Sequence, residues 1–408
     1  MNYNLKKSKH KRTLAKLATF WIIVPQLRRR LRNYLVTDDS QLVSRKAQDL
    51  LLFKKLQETE HLIVFLVPEI NTISGGIYSI FSIAKQSRKF KSIHKSDVIV
   101  MTIPNKNNKT YFRQTYFRNE EIVYRFDQLL QFRNLKTLTI HVPEFFSRDF
   151  YARISEKERS FIKNIPNTHI NILNQNIVLM PKAQEFENLY KLTPNISQTV
   201  AHHSYASQEM ANRYGLKTLL LPAYTDLSNY PKSGFEEKED IIIYSPDEHP
   251  EKASILELLK KELPKYELIE IWDISFDEFM ELVTRAKFGI TFGEGFDGYL
   301  AQPIHQGGIS FAVYNEDFFP DKSYLNFSNI FKSFDELKQN LVVTIKRLES
   351  SKQDYTELNQ SFVSTMDALY SFEHYCDCIK NFYLGAFDYQ PEKKPLGTEN
   401  LEISQLSQ

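Results

Sequence analysis

From His61 onward the chain alternates short apolar runs with segments of helical period, and nothing else in the sequence constrains the fold as tightly. Residues 61–68 (HLIVFLVP) form an unbroken apolar run, the mark of a strand covered on both faces. A loop carrying Gly75 and Gly76 follows, then a helix with Ile77, Ile80, Phe81 and Ala84 on one face. Further strands are predicted at 97–104, 135–142 (LKTLTIHV), 170–173, 199–202 and 216–221, with a helix over 118–132. Strands separated by helices imply parallel sheets with crossover connections, the doubly wound α/β class.

A polar, turn-rich break (SNYPKSGFEEKED) occupies 228–240, after which the alternation restarts. Strands are predicted at 240–244, 267–272, 288–292 and 309–314. Helices are predicted over 252–263, 276–286 and from about Tyr299, and helical sequence runs from Phe334 to about Phe382. With 408 residues there is room for two cores. The division expected is a basic arm at 1–36, an N-terminal Rossmann-like domain at 37–232, a C-terminal one at 233–345, helices at 346–389 and a disordered polar tail at 390–408. Cys376 and Cys378 are the only cysteines, so there is no disulfide framework and a reducing, cytoplasmic compartment is expected.

The net charge of +2 conceals an asymmetry. Residues 1–33 hold ten Lys and Arg, among them Lys16, Arg28, Arg29 and Arg30, and no acid. Removing those ten charges leaves −8 on the rest, so the body is not a nucleic-acid surface. The arm's apolar run (LAKLATFWIIV, with Trp21) is interrupted by Lys16 and stopped by Pro25, too short to span a bilayer. Apolar and aromatic residues on one helical face with Lys and Arg on the other describe a helix lying on an anionic membrane. The location expected is peripheral, at the inner face of the plasma membrane. A helix packing on the body or on a partner chain is the alternative.

The chemistry concentrates in residues 287–315 (KFGITFGEGFDGYLAQPIHQGGISFAVYN). A strand leads into Gly293-Glu294-Gly295, Asp297-Gly298 precedes a helix, and Gly307-Gly308 closes it. Glycines let a backbone approach a pyrophosphate, and a helix N-terminus favours the anion. A carboxylate just past such a strand can accept hydrogen bonds from a ribose diol. Glycine-bracketed helices also occur as plain turns, and spacing alone leaves both readings open.

This stretch resembles the donor-site signature of GT-B glycosyltransferases of the family-4 type, in which a strand leads into E-G-F-G and a second Glu follows eight residues on. Glu294-Gly295-Phe296-Asp297 matches the first part, and His249-Pro250-Glu251-Lys252 resembles the family's "PEK" turn. Residues 238–315 carry most of the likeness, 61–235 match in layout, and 1–60 do not match. The resemblance implies a GT-B fold, two Rossmann-like domains facing a cleft. It also implies that Glu294 holds the nucleotide ribose, while Lys252 and the amides from Gly295 to Tyr299 neutralise the diphosphate. Two departures matter: Asp247 stands where an Arg is usual, and Gln302 replaces the second Glu. The nearest subfamily is the bacterial rhamnosyltransferases of surface-polysaccharide assembly, which use dTDP-rhamnose.

On the opposite wall, Gly75 and Gly76 occupy the position of a phosphate or acceptor loop, with a plain turn as the alternative. His141 and Glu144 (HVPEF) end the strand at 135–142. An inverting transfer needs a general base for the acceptor hydroxyl, so Glu144 is the expected base and His141 the expected contact to the donor sugar. Phe145, Phe146 and Tyr151 are candidates for stacking on an acceptor. His202 and His203 end another predicted strand, and His305 lies on the glycine-closed helix. No metal ligands are assigned, since no Asp-x-Asp motif occurs.

The expectation is therefore a membrane-associated glycosyltransferase with a dTDP- or UDP-linked sugar as co-substrate, no separate cofactor, and a glycan or lipid-linked acceptor. A non-catalytic GT-B module that binds glycan or supports a partner transferase is the alternative. A sugar-nucleotide epimerase of the same architecture fits the basic arm poorly.

Overall fold

Parallel strands dominate because the apolar runs are separated by lengths of chain that cross back as helices. The computed structural model describes residues 56–68, 75–104, 122–272 and 274–392. The expectations for Lys16, Trp21, Arg28, Arg29 and Arg30, and for 393–408, lie outside those residues.

The first sheet comprises β1 (His61–Val67), β2 (Asp97–Thr102), β3 (Val123–Tyr124), β4 (Thr137–Pro143), β5 (Asn167–Asn174), β6 (Ile196–Val200) and β7 (Lys217–Leu220). All are parallel, in the order β3-β2-β1-β4-β5-β6-β7. The second sheet comprises β8 (Glu239–Tyr244), β9 (Glu267–Glu270), β10 (Ala286–Ile290), β11 (Ile309–Val313) and β12 (Ile330–Phe331), in the order β12-β11-β10-β8-β9. These strands are also parallel.

The strand order reverses between β1 and β4 in one sheet and between β8 and β10 in the other. At such a point neighbouring connections depart to opposite faces and leave a crevice beyond the carboxyl ends. The carboxyl ends of the two sheets come into contact. Asn176, just past β5, contacts Glu294, just past β10. His202, just past β6, contacts Phe318. Two parallel α/β lobes meeting at their carboxyl edges are the GT-B arrangement expected above.

Each lobe is held by helices whose apolar stripes match the strand faces. In α1 (Gly75–Lys89), Ile77, Ile80, Phe81 and Ala84 pack against Ile63, Phe65, Val67 and Val100, burial worth ~1.5–3 kcal/mol for each large side chain. Against the second sheet, α4 (Phe276–Arg285) sets Phe279, Met280 and Val283 on Ile241 and Ile243. There too α6 (Phe334–Ser350) buries Leu337, Leu341, Ile345 and Leu348. The long helical run is three helices, α6, α7 (Lys352–Tyr370) and α8 (Phe372–Leu384). It breaks at Ser351 and Ser371, whose hydroxyls accept the N–H of Asp354 and His374, as N-caps do. The last helix returns to the first lobe, with Tyr375, Cys378 and Ile379 in its core.

Two expectations need correction. Within 118–132 the described residues form β3 and a 3-10 helix at Phe126–Gln131, because the β-forming pair Val123-Tyr124 finds an open sheet edge beside β2. The polar tail is anchored at its start: Gln208 donates to the Gln390 carbonyl, and the Glu392 N–H donates to Asn212.

Candidate functional site

The second lobe contributes the loops that follow β8 and β10. A Cβ on Gly293 would lie 2.7 Å from Asp247 Oδ2, so the two loops abut at the crevice. Gly295 has φ +87°, and a Cβ there would come within 2.5 Å of the Val313 carbonyl, so no other residue fits without moving backbone. Between these glycines Glu294 is half-buried. Burial, reinforced by the Asp247 charge, raises its pKa. Beside the loop lies a cavity of ≈ 370 Å³ lined by Gly293, Val313, Tyr314, Asn315, Glu316 and Phe334. The Phe334 ring stacks on His249 at 3.6 Å.

The start of α5 (Gly298–His305) departs from the expected anion site. Asp297 caps the helix: Oδ1 accepts the N–H of Tyr299 at 2.8 Å and of Leu300 at 3.1 Å, and Oδ2 accepts the Thr291 hydroxyl at 2.6 Å. The Tyr299 amide expected to meet the diphosphate is thus already engaged. Gln302 folds over the same helix start, 2.6 Å from where a Cβ on Gly298 would sit. The Phe296 ring packs inward on Phe319, Tyr324 and Tyr370, and the Tyr299 ring packs on Phe279. Lys252 begins α3 (Lys252–Glu262) with its ammonium donating to the Ser245 carbonyl, the Asp247 carbonyl and Glu270. An ammonium has three donors, and these partners use all of them. Lys252 therefore braces the loop after β8 rather than presenting a free N–H.

Burial raises the Asp297 carboxyl to about 7, its hydrogen bonds and neighbours opposing or adding smaller shifts. Ionised, it repels an anion held at the start of α5; protonated, it does not. Diphosphate affinity is expected to weaken as pH rises through about 7. Asp297→Asn, neutral and still a cap, should tighten nucleotide-diphosphate binding about tenfold at pH 8 and flatten this dependence. Calorimetric titration at pH 6 and pH 8 checks both.

The first lobe contributes Glu144, which opens α2 (Glu144–Arg153) directly beyond β4. It is 5% exposed, and its carboxylate accepts the Gln175 N–H at 3.4 Å. Burial pushes its pKa up to about 7, with a further rise from the Glu294 charge. A carboxyl poised there can exchange protons near neutrality. His141 is a correction. It is 1% exposed, stacked on Phe65 at 4.1 Å and near Phe382 at 5.0 Å, with Nδ1 against the Asn171 amide. Burial holds its pKa well below the ordinary range, so it is a neutral interior ring with no route to a sugar. The covering ring comes from α8, which returns from the other lobe.

Gly75 opens α1 at an exposed position where a Cβ would meet nothing within 4 Å. Gly76 is the next helical residue, and residues 69–74 lie outside the described chain. Phe145 is exposed and Phe146 buried, while Tyr151 lies under the Arg159 guanidinium at 4.6 Å. His202, His203 and Ser204 bridge the lobes, contacting the Phe318 carbonyl, the Tyr370 hydroxyl and the Asp317 carbonyl. Burial keeps both imidazoles neutral, with pKa values of about 4. His305 lies 3.7 Å from Asp367. Cys376 accepts a hydrogen bond from Gln86.

One residue had no sequence signal. Asn176, in the segment after β5, donates through Nδ2 to Glu294 Oε1 at 2.6 Å, while its Oδ1 accepts the Val178 N–H at 2.9 Å. Glu144 and Glu294, from opposite lobes, are thereby joined through one short segment.

No family model matches the chain, and no curated protein matches it. Among solved structures, the sucrose-phosphate synthase of Thermosynechococcus elongatus aligns at 10% identity over 80% of this chain and 98% of its own, with a TM-score of 0.49. The pneumococcal O-GlcNAc transferase GtfA, solved with UDP and GlcNAc, aligns at 11% identity over 86% and 99%, with a TM-score of 0.42. The kitacinnamycin glycotransferase aligns at 9% identity over 78% and 98%, also with a TM-score of 0.42. Scores under 0.5 leave the functional assignment to this chain's own residues.

Proposed function

We propose that the chain transfers a hexose or deoxyhexose, with rhamnose nearest by motif, from a dTDP- or UDP-linked donor. The acceptor is a glycan or lipid-linked glycan in cell-surface polysaccharide synthesis. The observation that carries this reading is the Asn176–Glu294 contact, which sets the raised-pKa Glu144 of one lobe beside the Glu294 loop and cavity of the other. Glu294 accepts the ribose hydroxyls, and the cavity beneath Phe334 holds the base. Glu144 takes the acceptor hydroxyl's proton as that oxygen bonds to the anomeric carbon. The bond from that carbon to the diphosphate breaks, and the nucleoside diphosphate leaves with the electron pair. Protonation of Asp297 removes a negative charge that would repel the departing phosphate, so positioning and charge compensation do most of the work.

The direct test incubates the purified chain with a panel of nucleotide sugars and acceptor glycans and measures nucleotide release. Release from none of them would end the catalytic reading. The second reading, a glycan-binding module without chemistry, is favoured by Asp247 in place of an Arg and by the internal pairing of Lys252. It predicts glycan binding with no dTDP or UDP affinity.

We also assign the basic arm to an anionic membrane surface. No described helix is long and apolar enough to cross a membrane. Deleting residues 1–36 should release the protein from anionic liposomes; unchanged binding would remove this part of the proposal.

A further inference from the structure

We infer that Asn176 is a positioning residue that competes with a ribose diol for Glu294, so that donor binding draws the 174–180 segment away from Glu144 and opens it to the acceptor. This rests on the glycosyl-transfer reading above.

Four features of the segment carry the inference. The Asn176–Glu294 hydrogen bond is a short one to a carboxylate, 2.6 Å, of the kind about twice as strong as a neutral pair. It takes one of the two oxygens that a diol would need to bind both hydroxyls. The amide is oriented by its own backbone: Oδ1 accepts the Val178 N–H, which obliges the NH₂ group to face Glu294. The backbone amides of Gln175 and Asn176 face Glu144, so the same two-residue stretch covers the expected base and grips the expected ribose ligand. Beyond them, Val178 and Leu179 are 71% and 51% exposed, so the tip of the segment has little packing to lose when it moves.

A competitor tethered within the protein lowers the apparent affinity of the ligand it opposes, and removing it raises that affinity. The geometry therefore implies an order: donor first, then acceptor, because Glu144 stays covered until Glu294 changes partner. An acceptor arriving alone would find the base sealed by the 175–176 backbone.

The test is calorimetric titration of UDP and dTDP into the full chain and into Asn176→Ala and Asn176→Ser. Both variants should bind nucleotide about five-fold more tightly or better, whereas a merely structural asparagine would leave affinity unchanged or weaken it. On the wild-type chain, amide hydrogen exchange at residues 175–178 should rise when nucleotide saturates the site. Unchanged or weaker affinity in both variants, or unchanged or slower exchange, would overturn the inference. If wild type binds neither nucleotide, the functional reading fails first and takes this one with it.

Discussion

A Glu144→Gln variant should lose roughly 10²–10⁴ in kcat, the usual contribution of a positioned general base, while its donor Kd changes by less than about twofold. The side chain keeps its size and can still accept the Gln175 N–H, so the lobe has no reason to rearrange. Only the ability to take a proton disappears. In the wild type, kcat/KM should follow a bell centred near pH 7, its rising limb set by ionisation of the buried Glu144 and its falling limb by ionisation of Asp297, and Glu144→Gln should abolish only the rising limb. The same group leaves a mark on stability. A carboxyl whose folded pKa lies above its unfolded value binds more protons when folded, so its contribution is fully present below pH 4.5 and is lost as pH rises toward 7. Thermal unfolding of the variant should accordingly vary less over that window. Full kcat in Glu144→Gln would remove it from the chemistry.

Replacing Glu294 by Ala should weaken nucleotide binding by about a hundredfold or more. Two hydroxyl bonds to an anion are worth ~1.5–3 kcal/mol each, and every ~1.4 kcal/mol is a factor of ten. The fold should tolerate the change: the side chain is half-buried, its pKa is raised by burial and by Asp247, and removing it relieves that repulsion. Calorimetry with UDP and dTDP, beside a melting curve, separates a binding loss from unfolding. Undiminished affinity in a folded Glu294→Ala protein would refute the assignment of the ribose to this carboxylate.

The strand–helix alternation was legible because burial on both faces demands unbroken apolar runs and amphipathic crossovers demand a 3.6-residue period. The six predicted strands of the first lobe before residue 225 all exist, with ends shifted by a few residues. What failed was the helix at 118–132, where sheet-edge pairing outweighed the local pattern. Glycine placement was equally legible: Gly295 is required by its positive φ and the adjacent Val313 carbonyl, a demand that shows in the sequence as a Gly-x-Gly turn past a strand.

Side-chain roles were legible only in part. His141 and Glu144 stand three residues apart, but the strand pleat turns one inward beneath Phe382 and the strand's end releases the other toward the crevice. The ring that covers His141 lies some 240 residues away in sequence. Asp297 was legible only as part of the four-residue match that precedes a helix, and its capping of the amides at the start of α5 emerges only in the folded chain.

The residues themselves thus determined that two parallel sheets form and which loops carry glycine, since these follow from local periodicity and backbone sterics. Tertiary structure alone decided that Glu144 and Glu294 approach each other through Asn176, that Lys252 is bound up within its own lobe, and that His141 is sealed inside. Those outcomes depend on which distant segments arrive at the same place, and the chain's linear order does not encode the charge, burial and hydrogen-bond partners that such meetings create.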